Sequence, residues 1–232
     1  AKLQGHIQRE YVWKLKEQET QMRALQHQIN PHFLYNTLET LRSRALLEGD
    51  RDTADAIALL GALYRARTHT KDTITLGEEF KLLEMYLKIM ELRFGDNFFY
   101  QVELEDALRK IPTVSFWLQL AENFFTHGFD RESMYNLLII SGHPQGSDTV
   151  IEIMDNGSGV PADQLEQVQK TMREGNDDPE ADIGLRNVYM RLNYFYGNGF
   201  KMEIGNNPEG GFKISILIPG KVEEDVHIGD RG

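Results

Sequence analysis

A histidine directly follows a proline inside a pattern that otherwise predicts one long helix. Residues 6–47 are mostly good helix formers, with apolar residues at helical spacing. Pro31 removes a backbone donor and frees the carbonyl of His27, which predicts a bend beside His32. Asn36 lies one helical turn after His32 and shares a helix face with it.

This motif alone has a simpler interpretation. Asn30 can cap a new helix with Pro31 at its first position, which leaves His32 as an ordinary polar surface residue. Because short motifs match by chance, this alternative is favoured for the motif in isolation. The second half of the chain reverses the preference, because it contains the parts of a nucleotide site.

Glu122 and Asn123 are followed by His127 on a mostly apolar predicted helix, with Asn123 and His127 four residues apart on one face. An asparagine oxygen is a suitable ligand for Mg²⁺, which takes the rest of its shell from water and phosphates. His127 can donate to a phosphate. The alternative is a polar network that is bonded only within the protein.

A carboxylate and two glycines follow one predicted strand in the sequence Asp155-Asn156-Gly157-Ser158-Gly159. Glycines there allow close approach of the backbone, and the carboxylate can accept a hydrogen bond from an exocyclic amine such as that of adenine. A hairpin turn with aspartate–backbone hydrogen bonds is an equal alternative. Gly184 lies at the start of a later helix, where free amides favour phosphate. No GxxxxGK[ST] motif is present, which excludes a P-loop.

The composition limits the class of protein. A net charge of −11 argues against nucleic acid or an anionic membrane surface as the main partner. The absence of cysteine excludes disulfides, thiolate nucleophiles and zinc–sulfur sites. No apolar run has the length of a membrane span. We expect the chain to be a fragment whose full-length protein has an upstream sensor or membrane region.

The periodicity predicts an α+β chain in two parts. Helices are predicted at residues 53–67, 78–93, 113–127, 163–173 and 183–196, with Thr75 as the cap of the second of these. Strands are predicted at 98–104, 135–141, 149–154, 201–204 and 212–218. Residues 1–72 are predicted to form a coiled coil and a helical hairpin, which a second copy would complete as a four-helix bundle in a homodimer. Residues 73–220 are predicted to form an α/β sandwich with helices on one face of the sheet, and residues 221–232 a disordered tail.

Four motifs in this order resemble those of the LytS-like branch of bacterial sensor histidine kinases. They are residues 28–36, Glu122-Asn123 with His127-Gly128, Asp155 to Gly159, and Ile183-Gly184-Leu185-Arg186-Asn187-Val188. The resemblance covers roughly residues 22–219. It implies histidine phosphotransfer helices followed by an ATP-binding domain of the GHKL (Bergerat) type, which histidine kinases share with Hsp90, gyrase and MutL.

The resemblance also implies roles for individual residues. His32 would accept the phosphoryl group from ATP and pass it to an aspartate of a response regulator. One ring nitrogen would attack the γ-phosphorus while the other holds the proton, and Asn36 or Glu39 would be the candidate for orienting the ring. Glu122 would be a base or orienting group. Asn123 would bind Mg²⁺, and Asp155 would contact the adenine amine. The remaining predicted nucleotide-binding residues are His127, Gly157, Gly159, Gly184, Leu185 and Asn187. The full-length protein would be anchored at the cytoplasmic face of a bacterial membrane.

The sequence departs from the family pattern in several places. Leu120 stands where a proline is usual, Phe124-Phe125 is bulkier than usual, and Asp182 replaces a glycine near the expected phosphates. Phe212 replaces a threonine at the adenine end. Asp182 and Phe212 are the two arguments for the alternative function, a degenerate and non-catalytic module that binds nucleotide poorly and signals through dimer contacts; the kinase is the leading hypothesis.

Overall fold

The computed structural model describes residues 31–68, 73–174 and 183–220. The chain divides into two compact units, Ala1–Thr70 and Lys71–Gly232, and each is described by itself. The predicted coiled coil, the acidic segment that contains Asp182, and the predicted tail lie outside the described residues.

The described part of the first unit is a helical hairpin of α1, Pro31–Leu47, and α2, Arg51–Thr68. Gly49 has a φ of 79° in the turn, a conformation that glycine adopts without steric cost. The Asp50 carboxylate accepts a hydrogen bond from the Thr53 amide at 3.0 Å and so caps α2. Ala45, Ala54 and Leu63 are buried, and the ring of Tyr35 on α1 packs edge-on against that of Tyr64 on α2 at 5.6 Å between centroids.

The hairpin leaves apolar surface uncovered in the single chain. Five large apolar side chains on its two helices and connecting turn are exposed: Phe33, Leu41, Leu46, Leu47 and Leu60. Two amphipathic helices cannot bury both of their apolar faces against each other alone. The hairpin therefore has the surface that the predicted four-helix bundle requires.

The second unit is built on a five-stranded mixed sheet in the order β2-β4-β5-β7-β6. Its strands are β2 (Phe98–Leu104), β4 (Asn136–Gln145), β5 (Asp148–Asp155), β6 (Lys201–Asn206) and β7 (Phe212–Ile218). Strand β2 pairs parallel to β4, and the other neighbouring pairs are antiparallel. A short antiparallel pair, β1 (Ile74–Thr75) and β3 (Pro112–Thr113), lies outside this sheet.

Four α-helices accompany the sheet: α3 (Leu76–Phe94), α4 (Trp117–Asn123), α5 (Ala162–Glu174) and α6 (Ile183–Tyr196). One core contains alternate residues of the strands together with the apolar faces of these helices. Thr75 caps α3 as predicted, because its hydroxyl accepts from the Glu78 amide and the Glu78 carboxylate accepts from the Thr75 amide. The predicted fold class, a helical hairpin followed by an α/β sandwich, is confirmed.

The predicted helix at residues 113–127 is wrong in its first and last turns. Thr113 lies in β3, where its backbone pairs with Ile74, so α4 begins only at Trp117. After Asn123 the helix widens into a π-helix, Phe124–Gly128. Helical periodicity missed both features, because neither the strand pairing nor the π-turn changes the apolar spacing.

Candidate functional site

A cavity of about 310 Å³ opens beside the sheet of the second unit, at the point where α4 continues into the π-helix. It is of the size that small-molecule sites have. Four of the sequence-predicted site residues contribute to its lining: Asn123, His127, Asp155 and Gly159. The lining also includes the side chains of Phe124, Val168, Phe212 and Ile214. The cavity is therefore mostly apolar, with a few convergent polar groups.

Helix α4, which carries Asn123, is positioned by a buried carboxylate from a neighbouring helix. No side chain of its own segment caps α4. Glu79 of α3 is 2% exposed and faces the start of α4, where the Ser115 hydroxyl and the backbone amides of Phe116 and Trp117 favour its charge. These groups and Arg191 act to lower the pKa of Glu79. The effect of burial is larger, and it raises the pKa of Glu79 to about 7. This contact was not predictable from the sequence, because Glu79 looks like an ordinary first-turn glutamate.

Asn123 has an unsatisfied polar atom at the cavity. Its Nδ2 is buried and has no hydrogen-bond partner among the described residues. A buried polar group without a partner costs free energy unless a ligand or water satisfies it. The amide oxygen and nitrogen are assigned from the bonding network, so this position can equally present the oxygen. Asn123 thus fits the role of a ligand group.

Asp155 ends β5 and is 9% exposed. Its Oδ1 accepts hydrogen bonds from the backbone amides of Gly157, at 2.8 Å, and Phe212, at 3.1 Å. Burial raises the pKa of the Asp155 carboxyl, and these two hydrogen bonds oppose part of that rise. Its Oδ2 has no hydrogen-bond partner among the described residues. This oxygen is therefore available to accept from a ligand amine.

The glycines of the loop after β5 are required by contacts within the protein. A Cβ atom on Gly157 would overlap the backbone carbonyl oxygen of Gly128 in the π-helix. Gly159 has a φ of 66°, and a Cβ there would lie 2.7 Å from Oδ1 of Asn206. The glycines thus permit close packing of the cavity wall.

Three departures from the family pattern reach the cavity, namely Leu120, Phe124 and Phe212. The two phenylalanines have different structural roles. Phe212 lines the cavity with its ring, while its backbone amide holds Asp155. Phe124 is buried, and its neighbour Phe125 stacks on Phe94 of α3 at 5.5 Å between ring centroids. Phe129 extends this aromatic cluster, which anchors the π-helix to α3 and β2.

The other predicted nucleotide-binding residues do not line the 310 Å³ cavity. Gly157 lines a neighbouring cavity of about 480 Å³ that shares His127 and Gly128 with the first. Gly184, Leu185 and Asn187 lie in the first turns of α6, and Leu185 is buried in the core. Glu122 is exposed next to Asn123. The predicted roles of these residues stay predictions.

His32 lies exposed on α1 in the first unit. Nδ2 of Asn36 lies 3.4 Å from its Nδ1 and 3.5 Å from its Nε2. Glu39, the other candidate for orienting the ring, forms an ion pair with Arg42 at 3.3 Å. Of the two candidates, Asn36 is therefore the one for which the structure records a contact with the histidine.

Sequence reasoning missed Asn206, whose side chain contacts the loop at the cavity. Its sequence context, Asn206-Asn207-Pro208, indicates only a turn. It also missed Val160 and Gln164, which line the cavity.

Comparisons with known proteins place this chain in a family. Residues 20–98 match the family model described as Histidine kinase. The chain is 29% identical over 215 residues to sensor protein LytS of Staphylococcus haemolyticus, covering 90% of this chain and 36% of that protein. It is 30% identical over 203 residues to sensor histidine kinase YesM of Bacillus subtilis, covering 87% of this chain and 33% of that protein. A solved structure of histidine kinase ThkA in complex with response regulator protein TrrA matches with a TM-score of 0.48 and 11% identity, covering 94% of this chain and 65% of that one.

The chain belongs to the histidine kinase family. Within it, the chain is similar to the LytS-like sensor kinases, so the resemblance drawn from the four motifs is confirmed. The chain spans about a third of the length of the curated relatives that it matches. Among the described helices, none combines the length and apolar character needed to cross a membrane.

Proposed function

We propose that this chain is the kinase core of a two-component sensor: it binds ATP with Mg²⁺ in the 310 Å³ cavity and phosphorylates His32. The observation that carries the proposal is the pair of partly unsatisfied polar groups at that cavity. Asn123 has a buried unpaired nitrogen, and Asp155 has one carboxylate oxygen without a partner among the described residues. Family membership makes nucleotide the ligand to test.

In the proposed binding mode each polar group of the cavity contacts a particular part of the nucleotide. The free oxygen of Asp155 accepts from the exocyclic amine of adenine, while the aromatic and aliphatic walls cover the base. Asn123 and His127 contact the phosphate end, with Asn123 offering its amide oxygen to Mg²⁺. Bound Mg²⁺ would neutralise charge on the phosphates. Among the described residues no cluster of three His, Cys, Asp or Glu could hold a metal, which fits an ion held mainly by phosphates and water.

The proposed reaction is a phosphoryl transfer to nitrogen. A lone pair of the His32 ring forms the N–P bond to the γ-phosphorus, the bond to the bridging oxygen breaks, and ADP leaves. The proton stays on the other ring nitrogen until an acceptor takes it. The phosphohistidine then passes the phosphoryl group to an aspartate of a response regulator. Catalysis of such transfers depends mostly on positioning and charge stabilisation.

The same proposal includes a homodimer, in which a second copy covers the exposed apolar side chains of the α1–α2 hairpin. Membrane anchoring of the full-length protein stays a prediction. The experiment below also tests the alternative of a degenerate, non-catalytic module. Phe212 is one of the two residues that suggest this alternative, but its backbone amide donates a hydrogen bond to Asp155.

Incubation with γ-labelled ATP and Mg²⁺ tests the proposal. Wild type should acquire label that is stable in base and labile in acid, and His32→Gln should acquire none. His143→Gln on strand β4, outside the cavity wall, is the matched control and should label like wild type. Nucleotide binding without label would support the non-catalytic module, and label that persists in His32→Gln would contradict the assigned acceptor.

A further inference from the structure

The loop that follows β5 forms part of the cavity wall through Gly159, Val160 and Pro161. The Val160 amide donates to Oδ1 of Asn206 at 2.8 Å, and Nδ2 of Asn206 donates to the Val160 carbonyl oxygen at 2.7 Å. One side chain thus makes both hydrogen bonds that a paired strand would make to this residue. The two bonds also fix the orientation of the amide, because the opposite orientation would place like groups together.

The loop also lies close to Asn206 at Gly159. Gly159 turns with a φ of 66°, and a Cβ atom there would lie 2.7 Å from Oδ1 of Asn206 and 2.9 Å from the carbonyl oxygen of Gly211. Any other residue at position 159 would push the loop away from Asn206. Gly159 is therefore explained by the contact with Asn206, without invoking a ligand.

Asn206 ends β6, and the turn after it leads directly to the residues that hold Asp155. Gly211 packs against the backbone of Asp155, and the Phe212 amide donates to its Oδ1 at 3.1 Å. The β6–β7 hairpin therefore holds both the loop and the carboxylate. The relative position of Val160 and Asp155, on which the shape of the cavity depends, is fixed by one rigid element.

We propose that Asn206 is a positioning residue for nucleotide binding, which holds the loop from Gly157 to Pro161 in the conformation that closes the cavity. This inference rests on the function proposed above. Without the two side-chain hydrogen bonds the loop can leave the hairpin, and a nucleotide must then order it on binding. Such a cost weakens affinity and leaves the chemistry at His32 unchanged once the site is filled.

The test measures MgATP binding by calorimetry and autophosphorylation kinetics on the whole 232-residue chain. Asn206→Ala should raise Kd and KM about tenfold while kcat stays within about twofold, since two exposed hydrogen bonds are lost. Asn206→Asp keeps the acceptor for the Val160 amide and loses the donor, so it should fall between Ala and wild type. Asn207→Ala is the matched control, because within the described part of the chain its side chain accepts only from the Glu209 amide of the turn.

A second readout needs no nucleotide. Hydrogen exchange at the Val160 amide should be faster in Asn206→Ala than in Asn207→Ala. Equal Kd values and equal exchange in these two variants would overturn the inference, as would a fall in kcat with unchanged KM. Wild type could also fail to bind MgATP while the Val160 amide still exchanges faster in Asn206→Ala than in Asn207→Ala. That result would contradict the proposed function and would still support the contact between Asn206 and the loop.

Discussion

The amide of Asn36 lies one helical turn after His32 and within 3.4 Å of its ring nitrogen Nδ1. The recorded orientation presents the amide nitrogen to the ring. An asparagine amide also has an acceptor oxygen, and rotation by half a turn would let it accept the Nδ1 proton. Nε2 would then carry the free lone pair that attacks phosphorus. We therefore expect Asn36 to orient the His32 ring for the transfer.

Asn36→Ala should therefore slow autophosphorylation about two- to tenfold, the equivalent of one hydrogen bond, with unchanged ATP affinity. Asn36→Asp, whose carboxylate can only accept, should retain most of the rate. Glu39→Ala is the control on the same helix, because Glu39 pairs with Arg42. Equal initial rates for wild type and Asn36→Ala in single-turnover labelling would contradict this role.

Asp155→Asn should weaken ATP binding roughly 10- to 100-fold. The amide can keep the two backbone hydrogen bonds through its oxygen, but it turns a donor toward the exocyclic amine of adenine. Titration with a fluorescent ATP analogue measures the change. Asp148→Asn, at the opposite end of the same strand, is the control and should bind like wild type. Unchanged affinity in Asp155→Asn would remove this carboxylate from the site.

Glu79 should make stability depend on pH. Its pKa is about 7 in the folded chain and 4.5 ordinarily, so the folded state binds the proton more tightly than the unfolded state does. The free energy of unfolding therefore decreases as pH rises from about 4.5 to about 7, by roughly 3 kcal/mol at most, and this contribution is constant above that window.

Glu79→Gln imitates the protonated acid and should show a smaller decrease in stability between about pH 5 and pH 8. Urea unfolding followed by tryptophan fluorescence at the two pH values measures it, with the exposed Glu84→Gln on the same helix as the control. A pH dependence equal to that of wild type would show that Glu79 is ionised in the fold throughout this range.

Gly157→Ala should destabilise the second unit by about 1–3 kcal/mol, because the added Cβ overlaps the Gly128 carbonyl and must separate the loop from the π-helix. Gly205→Ala is the control, since a Cβ there has nothing within 4 Å. Thermal unfolding measures both variants. A Gly157→Ala protein as stable as Gly205→Ala would mean that the two segments can separate without cost.

The sequence predicted those parts of the fold that depend on local patterns. The Thr75 cap, the alternating strands and the Asp155 loop all follow from residue type and spacing. Contacts between distant segments were not predictable in this way. Glu79 at the start of α4 and Asn206 on the Val160 backbone join residues whose proximity only the tertiary packing creates. The π-helix after Asn123 likewise depends on the aromatic cluster around Phe125.

The proposed function depends on transfer of the γ-phosphoryl group of ATP to His32. Intact-mass spectrometry of the 232-residue chain after incubation with MgATP, followed by peptide mapping, detects this transfer. We expect one added phosphoryl group per chain at most, located on His32 and absent from His32→Gln. A phosphoryl group on another residue, or an unmodified chain under conditions where calorimetry shows that MgATP is bound, would contradict it.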